Sequence, residues 1–166
     1  MRALTAQDGT SARELVRSTY GGTRHLVRTL ELVELALGGK DPECLGLACA
    51  THDGVLEGLL LHGSIGGAAG VIKVHVLLGG ILEGLTALIT GVRGIHPGGD
   101  ARMFVCELSV TPEHALATAA LLAAGFSCEA SIADYFTDGI TLDVLVLRVV
   151  QDRERQLTST RIAFGA

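Results

Sequence analysis

Two ionisable side chains interrupt mostly apolar, β-rich runs, and both could move protons in a reaction. Glu107, if buried, would have a raised pKa, which suits a general base. The same carboxylate could instead pair with a neighbouring cation such as Arg102 or Lys73. His75 could belong to a site, or it could be a hydrogen-bonded interior group. Glu107 and His75 are therefore the candidates for catalytic proton transfer, and each has a structural alternative.

Other common kinds of site leave no trace in the sequence. No Gly-x-Ser-x-Gly motif, Walker motif or dinucleotide-binding fingerprint occurs. Three histidines have no partners at metal-ligand spacing, namely His25, His52 and His96. The four cysteines form no CxxC pair and are expected to be small core residues in strands: Cys44, Cys49, Cys106 and Cys128. We therefore expect neither a metal site nor a disulfide framework.

Composition and charge restrict the class of protein further. The chain has 166 residues, 48% of them apolar, with a mean hydropathy of +0.44, which is enough for one domain with a real core. A net charge of −5 without a basic stripe argues against nucleic-acid binding. Glu83 and four glycines interrupt the most apolar segment, residues 74–92, so we expect no membrane span. No secretory signal is recognisable, and we expect a cytoplasmic protein whose high hydropathy favours a homodimer.

Hydrophobic periodicity and turn signals predict alternating strands and helices in the order β-αα-βββ-α-β-α-ββ. The predicted helices are one that ends near Gly21 and three at residues 23–37, 81–92 and 111–124. The predicted strands lie at residues 2–4, 44–50, 55–61, 71–78, 102–110, 127–133 and 140–150. In the fourth strand, Lys73, His75 and Leu77 should share one face, because side chains alternate along a strand. We expect a single domain at residues 1–150 and a polar tail at 151–166.

The region after the last predicted helix carries a recognisable order of residues. The helix ends in Leu121-Leu122-Ala123-Ala124-Gly125-Phe126, and two strands follow around Asp134-Tyr135-Phe136 and Asp138-Gly139. This order resembles the C-terminal half of the GNAT superfamily, the acyl-CoA-dependent N-acetyltransferases. The resemblance implies an α/β fold with a mixed, mostly antiparallel sheet of six or seven strands and helices on both faces. It also implies transfer of an acetyl group from acetyl-CoA to a small-molecule or peptide amine.

The resemblance also implies where acetyl-CoA would bind. Backbone N–H groups at Val76, Leu77 and Leu78 would hold the thioester carbonyl and the pantetheine arm. Gly79 and Gly80 stand where GNAT enzymes have a longer Arg/Gln- and Gly-rich pyrophosphate loop, so this pair could cradle a phosphate or could be a plain tight turn.

Further positions follow from alignment on Gly125-Phe126. His114 falls where many family members have an Asn that contacts CoA, although a histidine there could also be solvated on the helix surface. Leu121 falls where they have a Tyr that protonates the departing thiolate, so this general acid is missing. Tyr20 and Tyr135 could line an acceptor pocket, with a surface position and a turn aromatic as their alternatives. A degenerate GNAT-fold module that binds a ligand or a protein partner without catalysis is therefore the second hypothesis.

Overall fold

The structure is a computed structural model that describes residues 1–39, 43–51, 53–66, 68–95, 101–136 and 139–149. The described residues form strands β1 Arg2–Ala3, β2 Leu45–Ala50, β3 Leu56–Ser64, β4 Val71–Gly79, β5 Met103–Ser109, β6 Ser127–Ile132 and β7 Leu142–Arg148. The helices are α1 Gly9–Tyr20, α2 His25–Gly38, α3 Leu82–Ile95 and α4 Ala115–Ala123. The predicted element order is therefore confirmed. The sequence predictions at His52, residues 96–100, Asp138 and residues 151–166 lie outside the described residues.

The seven strands form one sheet in the order β1-β2-β3-β4-β5-β7-β6. Neighbouring strands are antiparallel except β4 and β5, which run parallel and are joined through α3. A parallel pair needs such a crossover connection, because the chain must return to the starting edge. The prediction of a mixed, mostly antiparallel sheet is confirmed.

Each face of the sheet is covered by one pair of helices. Helices α1 and α2 bury Val16 and Val33 against β3 and the end of β4, whereas α3 and α4 bury Leu88 and Leu121 against the other face. Burial of each such side chain is worth about 1.5–3 kcal/mol. The prediction of helices on both faces is confirmed, and the two cores hold the central strands β3 and β4 in place from both sides.

Helix α4 ends just before Gly125, the glycine that the sequence predicts as its stop. Gly125 has a φ of 93°, a left-handed conformation that glycine adopts without a Cβ penalty. The Phe126 N–H then donates to the Leu121 carbonyl at 3.0 Å, and the Phe126 side chain is buried in the core under α3 and α4. The helix therefore closes into β6 as the motif predicts.

Strand β6 lies at the edge of the sheet, and all six of its residues are exposed. The expectation that every cysteine is a core residue is therefore wrong for Cys128, which lies on this strand where neither helix pair covers the sheet. Cys44 is buried but precedes β2 rather than lying in it. Among the described residues, no helix has the length and apolar character needed to cross a membrane.

Candidate functional site

The two parallel strands in the middle of the sheet separate toward their C-terminal ends. Residue pairing between β4 and β5 runs from Val71↔Met103 to Val74↔Cys106 and stops there, although β4 continues to Gly79 and β5 to Ser109. Beyond this last pair, each strand is paired only on its outer side, β4 with β3 and β5 with β7. The sheet therefore has a V-shaped opening at its centre.

A one-residue bulge lies at the apex of this opening. Strand β3 pairs Leu61 with Val76 and His62 with Val74, so His75 is an extra residue without a partner in β3. A bulge bends its strand and increases the local twist, which turns the end of β4 away from β5. His75 is thus the residue at which the two strands part.

The bulge also overturns a prediction from strict alternation. Leu77 does not share the face of Lys73 and His75, but packs with Ile72 and Val74 in the core under α3 and α4. Val76 and Leu78 pack on the opposite face with α1 and α2. The reason is physical: the extra residue shifts the alternation by one position, so the side chains of His75 and Val76 are directed to the same side of the sheet.

A cleft of about 380 Å³ lies beside the opening, on the face covered by α1 and α2. Helix ends, strand ends and the connection from β6 to β7 contribute its walls. Six residues predicted from the sequence to belong to a site line this cleft: Tyr20, His75, Val76, Glu107, His114 and Tyr135. The other predicted cofactor residues lie outside the cleft, Leu77, Leu78 and Gly79 further along β4 and Gly80 directly after it.

Tyr20 and His114 form a buried hydrogen-bonded pair in the cleft. The Tyr20 hydroxyl lies 2.8 Å from Nε2 of His114, and Nδ1 of His114 lies 3.1 Å from the Ser109 carbonyl oxygen. Because a carbonyl only accepts, Nδ1 carries the proton and Nε2 accepts from the tyrosine. The exposed alternatives for both residues are therefore wrong, since Tyr20 is 3% and His114 4% exposed.

Burial sets the charge state of this pair. Burial lowers the pKa of His114, and the neighbouring His25 lowers it further. Burial raises the pKa of the Tyr20 hydroxyl, and the thiol of Cys106 and the carboxylate of Glu113 add to that shift. Both side chains are therefore neutral near pH 7.

Two further polar residues, which the sequence did not single out, lie next to the Tyr20–His114 pair. His25, the first residue of α2, packs edge-on against His114 with ring centroids 4.8 Å apart. Glu113 precedes His114 in a short 3₁₀ turn, Pro112–His114. One ligand atom from each of these three residues lies within 4.8 Å of the others. Spacing along the chain could not reveal the cluster, because only the packing of α2 against the end of β5 brings His25 to the turn.

The two predicted catalytic residues differ in their surroundings. Glu107 is exposed and pairs with Lys73 at 2.7 Å, so its buried alternative is wrong and its ion-paired alternative is confirmed. His75 is half-buried, and its Nε2 lies 3.0 Å from the Glu43 carbonyl oxygen. Since that carbonyl accepts, Nε2 carries the proton and Nδ1 keeps its lone pair. Burial lowers the pKa of His75, although the Glu43 hydrogen bond opposes the shift.

The start of α3 offers main-chain donors but no basic side chain. A Cβ on Gly79 would lie 2.9 Å from the Glu57 carbonyl oxygen and 2.8 Å from Leu85, whereas a Cβ on Gly80 would meet nothing within 4 Å. Gly79 is therefore required by packing against β3, and only Gly80 faces open space. The first turn of α3 carries the acidic Glu83. An anion at this turn would therefore meet main-chain N–H groups and the positive end of the helix dipole rather than a basic side chain of the turn.

Tyr135 and Leu121 complete the predicted positions. Tyr135 is 55% exposed at the mouth of the cleft, where its ring contacts Phe136 edge-on. The guanidinium of Arg24, the residue before α2, lies 4.4 Å from the centre of the Phe136 ring, so a cation also lies at this mouth. Leu121 is fully buried in the core under α3 and α4, where it can supply no proton.

The sequence matches no protein-family model and no curated protein, but the fold matches many solved structures. A protein assigned as a GNAT-family acetyltransferase from Desulfovibrio desulfuricans is 22% identical, with a TM-score of 0.72 over 87% of this chain and 94% of that one. A Salmonella typhimurium protein assigned as an acetyltransferase, solved with its cofactor acetyl-CoA, is 15% identical, with a TM-score of 0.71 over 90% and 92%. An N-acetyltransferase from Staphylococcus aureus Mu50 is 10% identical, with a TM-score of 0.68 over 89% and 96%.

Proposed function

We propose that this chain, which has the GNAT fold, transfers an acetyl group from acetyl-CoA to an amine held in the cleft. One observation carries the proposal: the opening between β4 and β5 begins at His75, and the cleft adjoins it at His75 and Val76. A donor in the opening and an acceptor in the cleft would therefore meet where the chain places a proton acceptor. Holding two reactants in contact supplies much of the rate in such a transfer.

Acetyl-CoA, when bound, would supply a thioester carbon for attack by the amine nitrogen, with the C–S bond broken and CoA thiolate as the leaving group. On this proposal, the β5-facing edge of β4 between Val76 and Leu78 holds it, through those main-chain N–H groups of Val76, Leu77 and Leu78 that point away from β3. Gly80 and the first turn of α3 offer further N–H groups for the diphosphate. No step beyond positioning is asked of these groups.

His75 is the residue we propose as the general base. Its pKa is lowered, so the imidazole is neutral near pH 7, and Nδ1 has a free lone pair while Nε2–H is held by Glu43. The proton that leaves the amine nitrogen would pass to Nδ1. Glu107 also lines the cleft, and its carboxylate, which is paired with Lys73, would offer an acceptor oxygen to an amine N–H.

A second candidate function is ligand or partner binding without catalysis. Two observations favour it: Glu83 lies in the first turn of α3, where a diphosphate would sit, and Leu121 occupies the position of the family's general acid. On this reading the cleft and the opening are kept, and the transferase chemistry is lost. The two candidates differ in whether the chain binds acetyl-CoA and turns it over.

Calorimetric titration with acetyl-CoA separates the two candidates. The transferase proposal expects binding in about the micromolar range. Gly80→Asp should weaken binding by about fivefold, because it adds a negative charge at the helix N-terminus. Gly80→Ala is the matched control and should bind as the wild type does, since its Cβ meets nothing within 4 Å.

Turnover with a panel of amines tests the assignment of the base. His75→Gln should lower kcat by about 10²–10⁴-fold while acetyl-CoA binding stays unchanged. If the wild type fails to bind acetyl-CoA even at about millimolar concentration, the transferase proposal is wrong and the binding module is supported. If His75→Gln retains full activity in an active enzyme, the role of His75 is wrong.

A further inference from the structure

A three-residue cluster at the inner end of the cleft has the donors of a metal site. It comprises His25, Glu113 and His114, which offer two imidazole nitrogens and one carboxylate oxygen. The nitrogens and the oxygen lie within 4.8 Å of one another, so small rotamer changes would bring all three onto one ion. None of the three residues is exposed, which distinguishes the cluster from a chance grouping of surface side chains.

The surroundings of His114 provide a second, independent observation. Nδ1 of His114 faces the Ser109 carbonyl oxygen at 3.1 Å and the Thr111 hydroxyl at 3.0 Å. Metal-bound histidines characteristically donate their other N–H to such a group, which fixes the tautomer and aims the free nitrogen at the ion. In this structure Nε2 of His114 is the unprotonated nitrogen, and it accepts a hydrogen bond from the Tyr20 hydroxyl.

His25 and Glu113 complete a mixed nitrogen and oxygen donor set. Burial lowers the pKa of His25, and Glu113 partly opposes that shift, so the carboxylate lies near enough to interact with the ring. His25 also has Ser109 Oγ within 3.4 Å of Nε2. Two neutral imidazoles and one carboxylate suit zinc and related divalent transition metals rather than magnesium or calcium.

We propose that His25, Glu113 and His114 bind one divalent transition metal ion of the zinc class, with the remaining coordination positions open to the cleft. Binding would require the Tyr20 hydroxyl to leave Nε2 of His114. An ion there would also occupy the cleft beside Ser109, where the proposed acceptor binds. The site itself does not depend on the proposed acetyltransferase activity.

Titration of the chelator-treated full chain with Co²⁺ tests the site directly. The visible absorption of Co²⁺ reports low-symmetry nitrogen and oxygen coordination, and calorimetry with Zn²⁺ gives the number of ions. We expect one ion per chain. His25→Ala and Glu113→Gln should each weaken binding by more than about tenfold, because each removes a direct ligand.

Matched controls use the same residue types outside the cluster. His75→Ala removes a cleft histidine outside the cluster, and Glu83→Gln removes a glutamate on α3, so both should bind Co²⁺ as the wild type does. Far-ultraviolet circular dichroism confirms that each variant is folded. Binding that survives in His25→Ala, or strong thiolate-to-Co²⁺ charge-transfer bands, would place the ion elsewhere and overturn the proposal. Binding weaker than about millimolar in the wild type would also overturn it.

Discussion

At the scale of single residues, the Tyr20–His114 hydrogen bond joins parts of the chain that lie far apart. Tyr20 ends α1 on one side of the sheet, and His114 precedes α4, which packs on the other side. Both side chains line the cleft on the face covered by α1 and α2. The pair therefore ties the end of α1 to the turn that leads from β5 into α4.

Tyr20→Phe tests the energetic role of this link. The substitution leaves Nε2 of a buried histidine without its donor, which costs about 1–3 kcal/mol of unfolding free energy. It should also raise the pKa of His114, because the tyrosine hydrogen bond stabilises the neutral ring. Urea unfolding measures the first effect and NMR titration of the imidazole the second. A stability equal to that of the wild type would show that water replaces the hydroxyl at no cost.

Residue types could be selected from the sequence, whereas their partners could not. His75 and Glu107 were selected because each is an ionisable residue within an apolar run, and both line the cleft. The burial of His114 and its contact with His25 depend on how α2 packs near the end of β5, which no local pattern encodes. The sequence therefore predicted members of the candidate site but missed the cluster.

At the scale of elements, the order of strands and helices was predictable and the irregularities were not. Glycine and proline punctuation marked most boundaries to within a few residues. The bulge in β4 was missed because its neighbours on both sides are apolar, Val74 and Val76, so either alternation fits the sequence equally well. Only the pairing with β3 shows which residue is the extra one.

The turn from β4 to α3 gives a prediction at this scale. Gly79→Ala should lower the unfolding free energy by about 1–3 kcal/mol, because the added Cβ meets the Glu57 carbonyl and Leu85 at less than 3 Å. Gly80→Ala should change it by less than about 0.5 kcal/mol. Urea denaturation of the two variants measures both values. Equal stability of the pair would mean that β3 can move away from this turn without cost.

At the scale of the whole molecule, three histidines with lowered pKa values surround one cleft. Burial lowers the pKa of His25, His75 and His114. The unfolded chain, whose histidines titrate near ~6.5, therefore binds more protons than the folded chain at mildly acid pH. The homodimer expected from the sequence stays a prediction. The edge strand β6 offers unpaired backbone groups to solvent, and a second chain could pair with them.

Stability should consequently fall as the pH drops below about 6.5. The histidine contribution is fully present above the unfolded pKa and is lost as the pH approaches the folded values. Asp8, whose pKa is held down by Arg2, adds its own loss only at much lower pH. Urea midpoints at about pH 7.5 and about pH 5.5 measure the effect, and His75→Gln should flatten the dependence. A midpoint that is constant across this range would show that these side chains are not protected from protons in the folded state.

The extra residue in β4 has an evolutionary consequence. No residue of β3 pairs with His75. A chain that lacked His75 could therefore keep the Leu61↔Val76 and His62↔Val74 pairs. Every other side chain of β4 would stay on its present face of the sheet. The strand would become regular, and its ladder with β5 could extend past Val74. A deletion of one codon could therefore close the opening while every remaining residue stays chemically unchanged, so a protein of this fold could lose the opening in a single mutational step.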